Sequence, residues 1–284
     1  MLMATFFPIP PEPKPCGPAS ELQAPAQKLG MPREFPRITA EEIRQAIFRQ
    51  NPKKAPGADG ITFDIWRRLL QFVIPIIALR KPGKSDYTVP KANRPISLLP
   101  TISKGLEGIV AARLSYLTER FFLLRTNHFG ARKQRSCEQA LDVLVEKIYK
   151  AWKGKRVLSL VTFDVQGAFN RVHPTVLARR LRERGVPDQM VRWIRSFCED
   201  RTGSVVIGNY TSECAPISHA GIPQGSPLSP LLYVFYNAGL VEGKIDKRGG
   251  SLGFIDDFTA WRTGGNCEET TEKLQAEVLR RAEQ

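Results

Sequence analysis

Two β-prone runs with almost nothing between them constrain this chain most. Ser251-Leu252-Gly253-Phe254 and Phe258-Thr259-Ala260-Trp261 flank Ile255-Asp256-Asp257. A connection this short reads as an antiparallel hairpin, with side chains alternating along each arm. Asp is depleted from strands, and adjacent carboxylates repel unless something positive holds them. Met alone, such a pair is usually a solvated turn. The other reading is a cation site.

Two further segments bear on that choice. Residues 156–165, RVLSLVTFDV, form a near-continuous apolar run, the pattern of a buried strand, with Asp164 near its end. A carboxylate leaving such a strand is costly unless paired or metal-bound, although an Asp there is more often a cap or turn residue. Residues 221–230, GIPQGSPLSP, read as a loop opening a helix. Ser229 as N-cap and Pro230 at the first helical position account for the helix start. They do not account for Gln224 beside Gly225, where backbone can approach a ligand closely and a helix N-terminus favours phosphate. A strand-end Asp and a hairpin Asp pair together supply oxygen ligands for hard cations such as Mg²⁺. Two such ions about 3.5–4 Å apart clamp the attacking and leaving oxygens of a phosphoryl transfer.

Charge points the same way. Lys and Arg number 42 against 28 Asp and Glu, a net charge of +14, which calls for a polyanionic partner, most simply nucleic acid. The 284 residues suffice for one large domain or two small ones. The five Cys share no CxxC spacing and the three His no ligand spacing, which argues against a disulfide framework or zinc knuckle and fits a reducing compartment. No apolar run reaches the roughly 18–20 residues needed to span a bilayer, and the start lacks the basic region of a signal peptide.

Along the chain, residues 1–37 read as a disordered Pro-rich tail and 38–75 as a helical extension containing APGADG. That extension should begin with a capping box at Thr39 and Glu42 and continue with a second helix near Thr62. A strand is expected from Ile76, a hairpin through Gly208-Asn209, and helices over about 104–120, 136–152, 174–184, 188–199, LLYVFYNAGLV and 268–283. Strands and helices mix without regular βαβ alternation, which predicts an α+β fold with an antiparallel sheet flanked by helices.

FDVQGAF (163–169), GIPQGSPLSPLLYVF (221–235) and FIDD (254–257) follow KKAPGADGI, LRKPGK, RPISLL and HFGARKQRSCEQAL in order and spacing. The set resembles the reverse transcriptase of non-LTR (LINE-type) retrotransposons, over about residues 40–275. The resemblance implies an RNA-directed DNA polymerase with right-hand fingers and palm over 76–265. It implies that Asp164, Asp256 and Asp257 bind two Mg²⁺ ions, Mn²⁺ being able to substitute, with the Val165 carbonyl near the triphosphate-holding metal. A primer 3′-OH would attack the α-phosphate of a dNTP. Phe169 matches the aromatic gate against a ribose 2′-OH, though a core Phe is its plainer reading. Lys81 and Arg94 match residues that contact the triphosphate, and Gln224 and Gly225 match residues at the incoming nucleotide. Arg132, with Arg120 and Arg125, matches the template groove; surface solubility explains these equally well.

The implied partners are an RNA template, a DNA primer and dNTP, with no membrane; the resemblance implies an intracellular setting, nuclear for a retrotransposon, with a mitochondrial one left open. Departures matter too. Phe-Ile precedes the Asp pair where many relatives have Tyr-Ala or Phe-Val, and Asn170 stands where many carry Asp. Few residues separate the Trp66-Arg67-Arg68-Leu69 helix from Lys81, which reads as an internal deletion or a mis-joined gene model. The chain stops soon after Asp257, which reads as a missing thumb and a truncated last palm helix over 266–284. On that reading the chain binds nucleic acid and fails to extend a primer. Two alternatives stand beside the polymerase: a non-catalytic retroelement remnant that only binds nucleic acid, and an intron maturase-type reverse transcriptase. KKAPGADG and GIPQGSPLSP favour the retrotransposon over the maturase.

Overall fold

The computed structural model describes residues 74–282 apart from 88, 100, 166, 208, 218, 219 and 242. The Pro-rich tail, the helices expected from Thr39 and near Thr62, and the APGADG block lie outside the described residues. Among the described residues, eight runs form strands: β1 (Ile74–Arg80), β2 (Asn93–Ser97), β3 (Val157–Asp164), β4 (Thr202–Ile207), β5 (Tyr210–Thr211), β6 (Ala215–Pro216), β7 (Gly249–Phe254) and β8 (Asp257–Gly264). The described residues also form six α-helices: α1 (Thr101–Arg120), α2 (Cys137–Lys153), α3 (Pro174–Glu183), α4 (Asp188–Cys198), α5 (Ser229–Tyr236) and α6 (Cys267–Ala282). No helix among the described residues is long and apolar enough to cross a membrane.

The described residues divide into two units. The first, 74–116 with 169–229, carries a five-stranded sheet in the order β2-β1-β4-β5, with β6 also on β4. Ile76, Val205, Ile217 and Ala220 form its sheet core. Leu177, Ala178 and Leu181 of α3, and Met190, Val191, Ile194 and Cys198 of α4, are buried. This three-to-four spacing makes one apolar stripe per helix. Arg179–Glu183 and Arg195–Glu199 pair along the outer faces, contributing little at such exposure.

The second unit, 117–168 with 230–282, is built on a three-stranded antiparallel sheet, β3-β8-β7. Its two faces bury alternate residues of β8, as the pleat requires. Phe258 and Ala260 pack with Leu274 of α6 on one face. Trp261 packs with Ala140, Val143 and Leu144 of α2, and with Phe129 and Leu252, on the other. Ser136 caps α2 reciprocally: its Oγ accepts from Gln139 N, and its own N–H donates to Gln139 Oε1.

Two expectations need correction. The antiparallel sheet holds for β3-β8-β7, but β1 and β4 pair in parallel, Ile74 opposite Gly203 through Ile77 opposite Val206. A parallel pair needs a long crossover, and here the chain between β1 and β4 includes β2, α1, α2, β3, α3 and α4. The second concerns RVLSLVTFDV, expected to be buried. β3 is an edge strand, and Leu160 and Phe163 remain 44% and 39% exposed. The apolar packing from α2 reaches Leu158 of β3, leaving the Asp164 end open.

Candidate active site

The register of β3 on β8 sets Asp164 directly opposite Asp257, and β7 pairs Phe254 with Asp257. Ile255 and Asp256 remain as the turn. Directly opposed antiparallel residues have Cβ atoms about 4.5–5.5 Å apart, and like charges there are destabilising. A sheet tolerates that pairing where water or a cation screens it, and both side chains are exposed, with Asp256 half-buried. Strand parity puts Asp164 and Asp257 on the face of Leu158 and Trp261, at the end that the packing from α2 does not reach. The Val165 carbonyl, beside Asp164, accepts from Ala168 N at 3.2 Å.

The turn is held from several sides. Ile255 has φ +58°, the left-handed region, where a β-branched residue is strained by about 1–3 kcal/mol. Asn237 Nδ2 donates to the Ile255 carbonyl at 2.7 Å. Gly130 lies so close that a Cβ there would meet Ile255 N and Cγ1 at 2.5 Å. Residues 127–129 run along β7, with Gly253 N donating to Asn127 O at 3.0 Å and Phe129 N to Gly253 O at 2.8 Å. Asn127 Nδ2 reaches the carbonyls of Val241, Gly243 and Ser251. Neither Asn127 nor Asn237 stood out in the sequence. The available signal was a lone amide inside an apolar run, Asn237 within LLYVFYNAGLV, since a buried amide must find partners.

All three carboxylates offer hard oxygen donors of the kind Mg²⁺ takes. Yet no group of three or more His, Cys, Asp or Glu side chains among the described residues is arranged to hold a metal ion. The backbone pairs two of the carboxylates and puts the third beside them in the turn, while the three side chains do not gather round one point.

The first unit gathers most of the other candidates. Lys81 N donates to Ala92 O at 2.9 Å, and Arg94 lies opposite Leu79, so Lys81 and Arg94 fall on one face of the β1–β2 hairpin. Lys81 is half-buried and Arg94 exposed. The loop between them is tied by Tyr87 Oη to Lys81 O and by Asn93 Nδ2 to Tyr87 O and Val89 O. Ser97 N, at the end of β2, donates to Gln224 O at 2.8 Å. Gly225, at φ +123°, lies so near that a Cβ would meet Ser97 O at 2.7 Å. Gly221, at φ +62°, leaves no room either: a Cβ would meet Phe169 O at 2.1 Å. Ile222 N donates to that same Phe169 carbonyl at 3.0 Å. Lys81, Arg94, Gln224, Gly225 and Phe169 are therefore linked through short backbone contacts.

Arg132 is placed differently from a groove-lining cation. Its side chain is 2% exposed. Nε and Nη2 grip both oxygens of Glu119 at 2.8 Å, and Nη1 donates to Arg125 O and His128 O. The guanidinium is spent inside the protein, tying the end of α1 to the 125–128 segment. Arg120 and Arg125 are exposed.

Comparison with known proteins follows the same lines. A solved structure of telomerase from Candida tropicalis, in complex with a TWJ fragment of telomeric RNA, matches with TM-score 0.50 at 12% identity, over 79% of this chain and 44% of that one. The fold is thus of the mixed helix-and-sheet class seen there. In sequence, residues 79–284 match the family model for reverse transcriptase (RNA-dependent DNA polymerase). A probable RNA-directed DNA polymerase from transposon BS of Drosophila melanogaster is 30% identical over 84% of this chain and 29% of that protein. The RNA-directed DNA polymerase from mobile element jockey of Drosophila funebris is 31% identical over 90% of this chain and 30% of its own length. The chain belongs to the reverse transcriptase family, of the kind carried by LINE-type elements. It spans less than a third of the length of these curated relatives. Enzymes of this family use divalent metal ions.

Proposed function

We propose that this chain is the RNA-directed DNA polymerase part of a non-LTR retrotransposon protein, extending a DNA primer on an RNA template with dNTP. One observation carries the reading: Asp164 opposes Asp257 at an open sheet end, with Asp256 in the adjoining turn. Nothing in the packing of the sheet calls for like charges there. Asp164, Asp256 and Asp257, with the Val165 carbonyl, would hold two Mg²⁺ ions. Bound metal there would offset developing charge and lower the pKa of the attacking hydroxyl. Lys81 and Arg94 supply charge for a triphosphate, the guanidinium in bidentate geometry. Gln224 and Gly225 bring the loop edge to the nucleotide, and Phe169 limits the sugar at its 2′ position. The palm-and-fingers description belongs to this proposal, as does the expectation that Mn²⁺ can substitute.

Asp164→Asn and Asp256→Asn test it. Each should abolish dNTP incorporation, a loss of several kcal/mol of transition-state stabilisation, while binding primed RNA as the parent does. Near-parental incorporation by either variant would overturn the site.

A second reading, a remnant that binds nucleic acid without copying it, is favoured by the ungathered carboxylate side chains. It expects affinity for RNA to fall steeply with salt, following the +14 charge, with no incorporation in Mg²⁺ or Mn²⁺. Salt-sensitive binding together with cDNA synthesis would refute it.

A further inference from the structure

The loop that carries Gln224 and Gly225 meets a buried charge at each end, and the two charges have opposite sign. At its start, Arg201 is 9% exposed and donates through Nη2 to the Gly221 carbonyl and through Nε to Cys198 O. At its other end, Glu107 of α1 is wholly buried. Glu107 Oε1 accepts from Ser103 Oγ at 2.5 Å, and the Ser226 hydroxyl faces the same carboxylate. Oε2 makes no well-formed hydrogen bond among the described residues. Ser226 Oγ meanwhile accepts from Leu228 N at 3.1 Å, at the entry to α5.

Buried charges persist only when compensated. Burial raises the Glu107 carboxyl and lowers the Arg201 guanidinium, and the charge of each works against that shift in the other. Apolar residues of similar volume would pack at least as well. What the two charges add is directed contact at the two ends of one loop. Between those ends the loop touches β2 through Gln224 O and the Phe169 carbonyl through Ile222 N.

We infer that Glu107 and Arg201 are positioning residues that clamp the Gly221–Ser226 loop and thereby set Gln224 and Gly225 against the incoming nucleotide. The contact between the Glu107 carboxylate and Ser226 is the part that tightens when the nucleotide seats. Polar contacts in ligand-free sites are commonly long and close in the complex. The inference rests on the polymerase reading above and adds a determinant of nucleotide affinity.

The test uses the full chain on primed RNA with a dideoxy-terminated primer, so that dNTP binding is read without chemistry. Glu107→Gln should weaken dNTP affinity about tenfold, the scale of one hydrogen bond to a charged group. Ser226→Ala leaves both charges in place and should cost roughly threefold to tenfold. Arg201→Lys keeps the charge but loses the planar fork, so it should fall between the parent and Arg201→Ala. In each, amide exchange of residues 221–228 should quicken while primed-RNA affinity and exchange in β3, β7 and β8 stay put. The inference is overturned if the parent binds dNTP and Ser226→Ala and Glu107→Gln bind it equally well. It is also overturned if primed-RNA affinity falls in step with dNTP affinity in these variants, because the residues are then general supports of the fold. A parent that binds primed RNA but no dNTP removes the polymerase reading itself, and this one with it.

Discussion

The turn carrying Asp256 and the loop carrying Gln224 are both irregular backbone bearing chemistry, and different forces hold them. The turn has neutral supports in the Asn237 amide on Ile255 O, the close approach of Gly130, and the register of β7 on β8. The loop rests on glycines at positive φ and on the buried charges of Glu107 and Arg201. A fixed cation beside the turn would pair with its carboxylates and compete with any metal they are meant to hold. The loop bears no acidic side chain, so charged anchors cost it nothing of that kind. Here the acidic turn is supported by an amide and close packing, and the loop without acidic side chains by buried charges at its two ends.

Substitutions at the glycines should break the comparison most strongly. Gly221→Ala puts a Cβ into Phe169 O at a positive φ, and Gly130→Ala puts one into Ile255. Each should destabilise by about 2–4 kcal/mol, combining overpacking with backbone strain where φ is positive. Gly239→Ala meets nothing within 4 Å and should leave the melting temperature nearly unchanged. Thermal melts of the three variants check this, and equal melts would mean that neither close approach matters. The gate substitution comes next. Phe169→Ala should raise rNTP use relative to dNTP, on the order of tenfold to a hundredfold, the range over which a pocket rejects one added hydroxyl. Primer extension with each nucleotide decides it, and an unchanged ratio returns Phe169 to a packing role. The smallest effect sharpens the difference between the two regions. Asn237→Leu removes the bond to Ile255 O at a cost of about 1–3 kcal/mol. It should raise the Mg²⁺ concentration needed for half-maximal incorporation and leave dNTP affinity alone, the reverse of the pattern expected for Glu107→Gln. Matching shifts in both variants would show that the two regions are not separately supported.

Legibility followed sequence distance. The hairpin was readable because Phe254 and Asp257 are nearly adjacent, and two residues between β-prone arms leave the chain little else to do. The β4–β5 pairing and most helix ends were readable for the same local reason. The exposure of β3 was not. An apolar run on an edge strand looks the same as one in the middle of a sheet. The parallel pairing of β1 with β4 was hidden by the long stretch of chain between them. Arg132 illustrates the limit at a single residue: its type suits a phosphate or a carboxylate equally, and only the arrival of Glu119 decides which it meets.

By itself the sequence determined the identity and order of the chemistry-bearing residues: Asp164, the Asp256-Asp257 turn, and the Gly221 and Gly225 loop. Residue type and local spacing suffice for these, because turns, caps and strand periodicity are short-range properties of the backbone. Only the tertiary structure decided that Asp164 faces Asp257, that Asn237 and Gly130 hold the turn, and that Glu107 and Arg201 sit buried at the ends of one loop. Each of these depends on register or burial between segments distant in the chain. Register and burial are fixed by which apolar faces find one another when the core forms, a choice that local sequence does not encode.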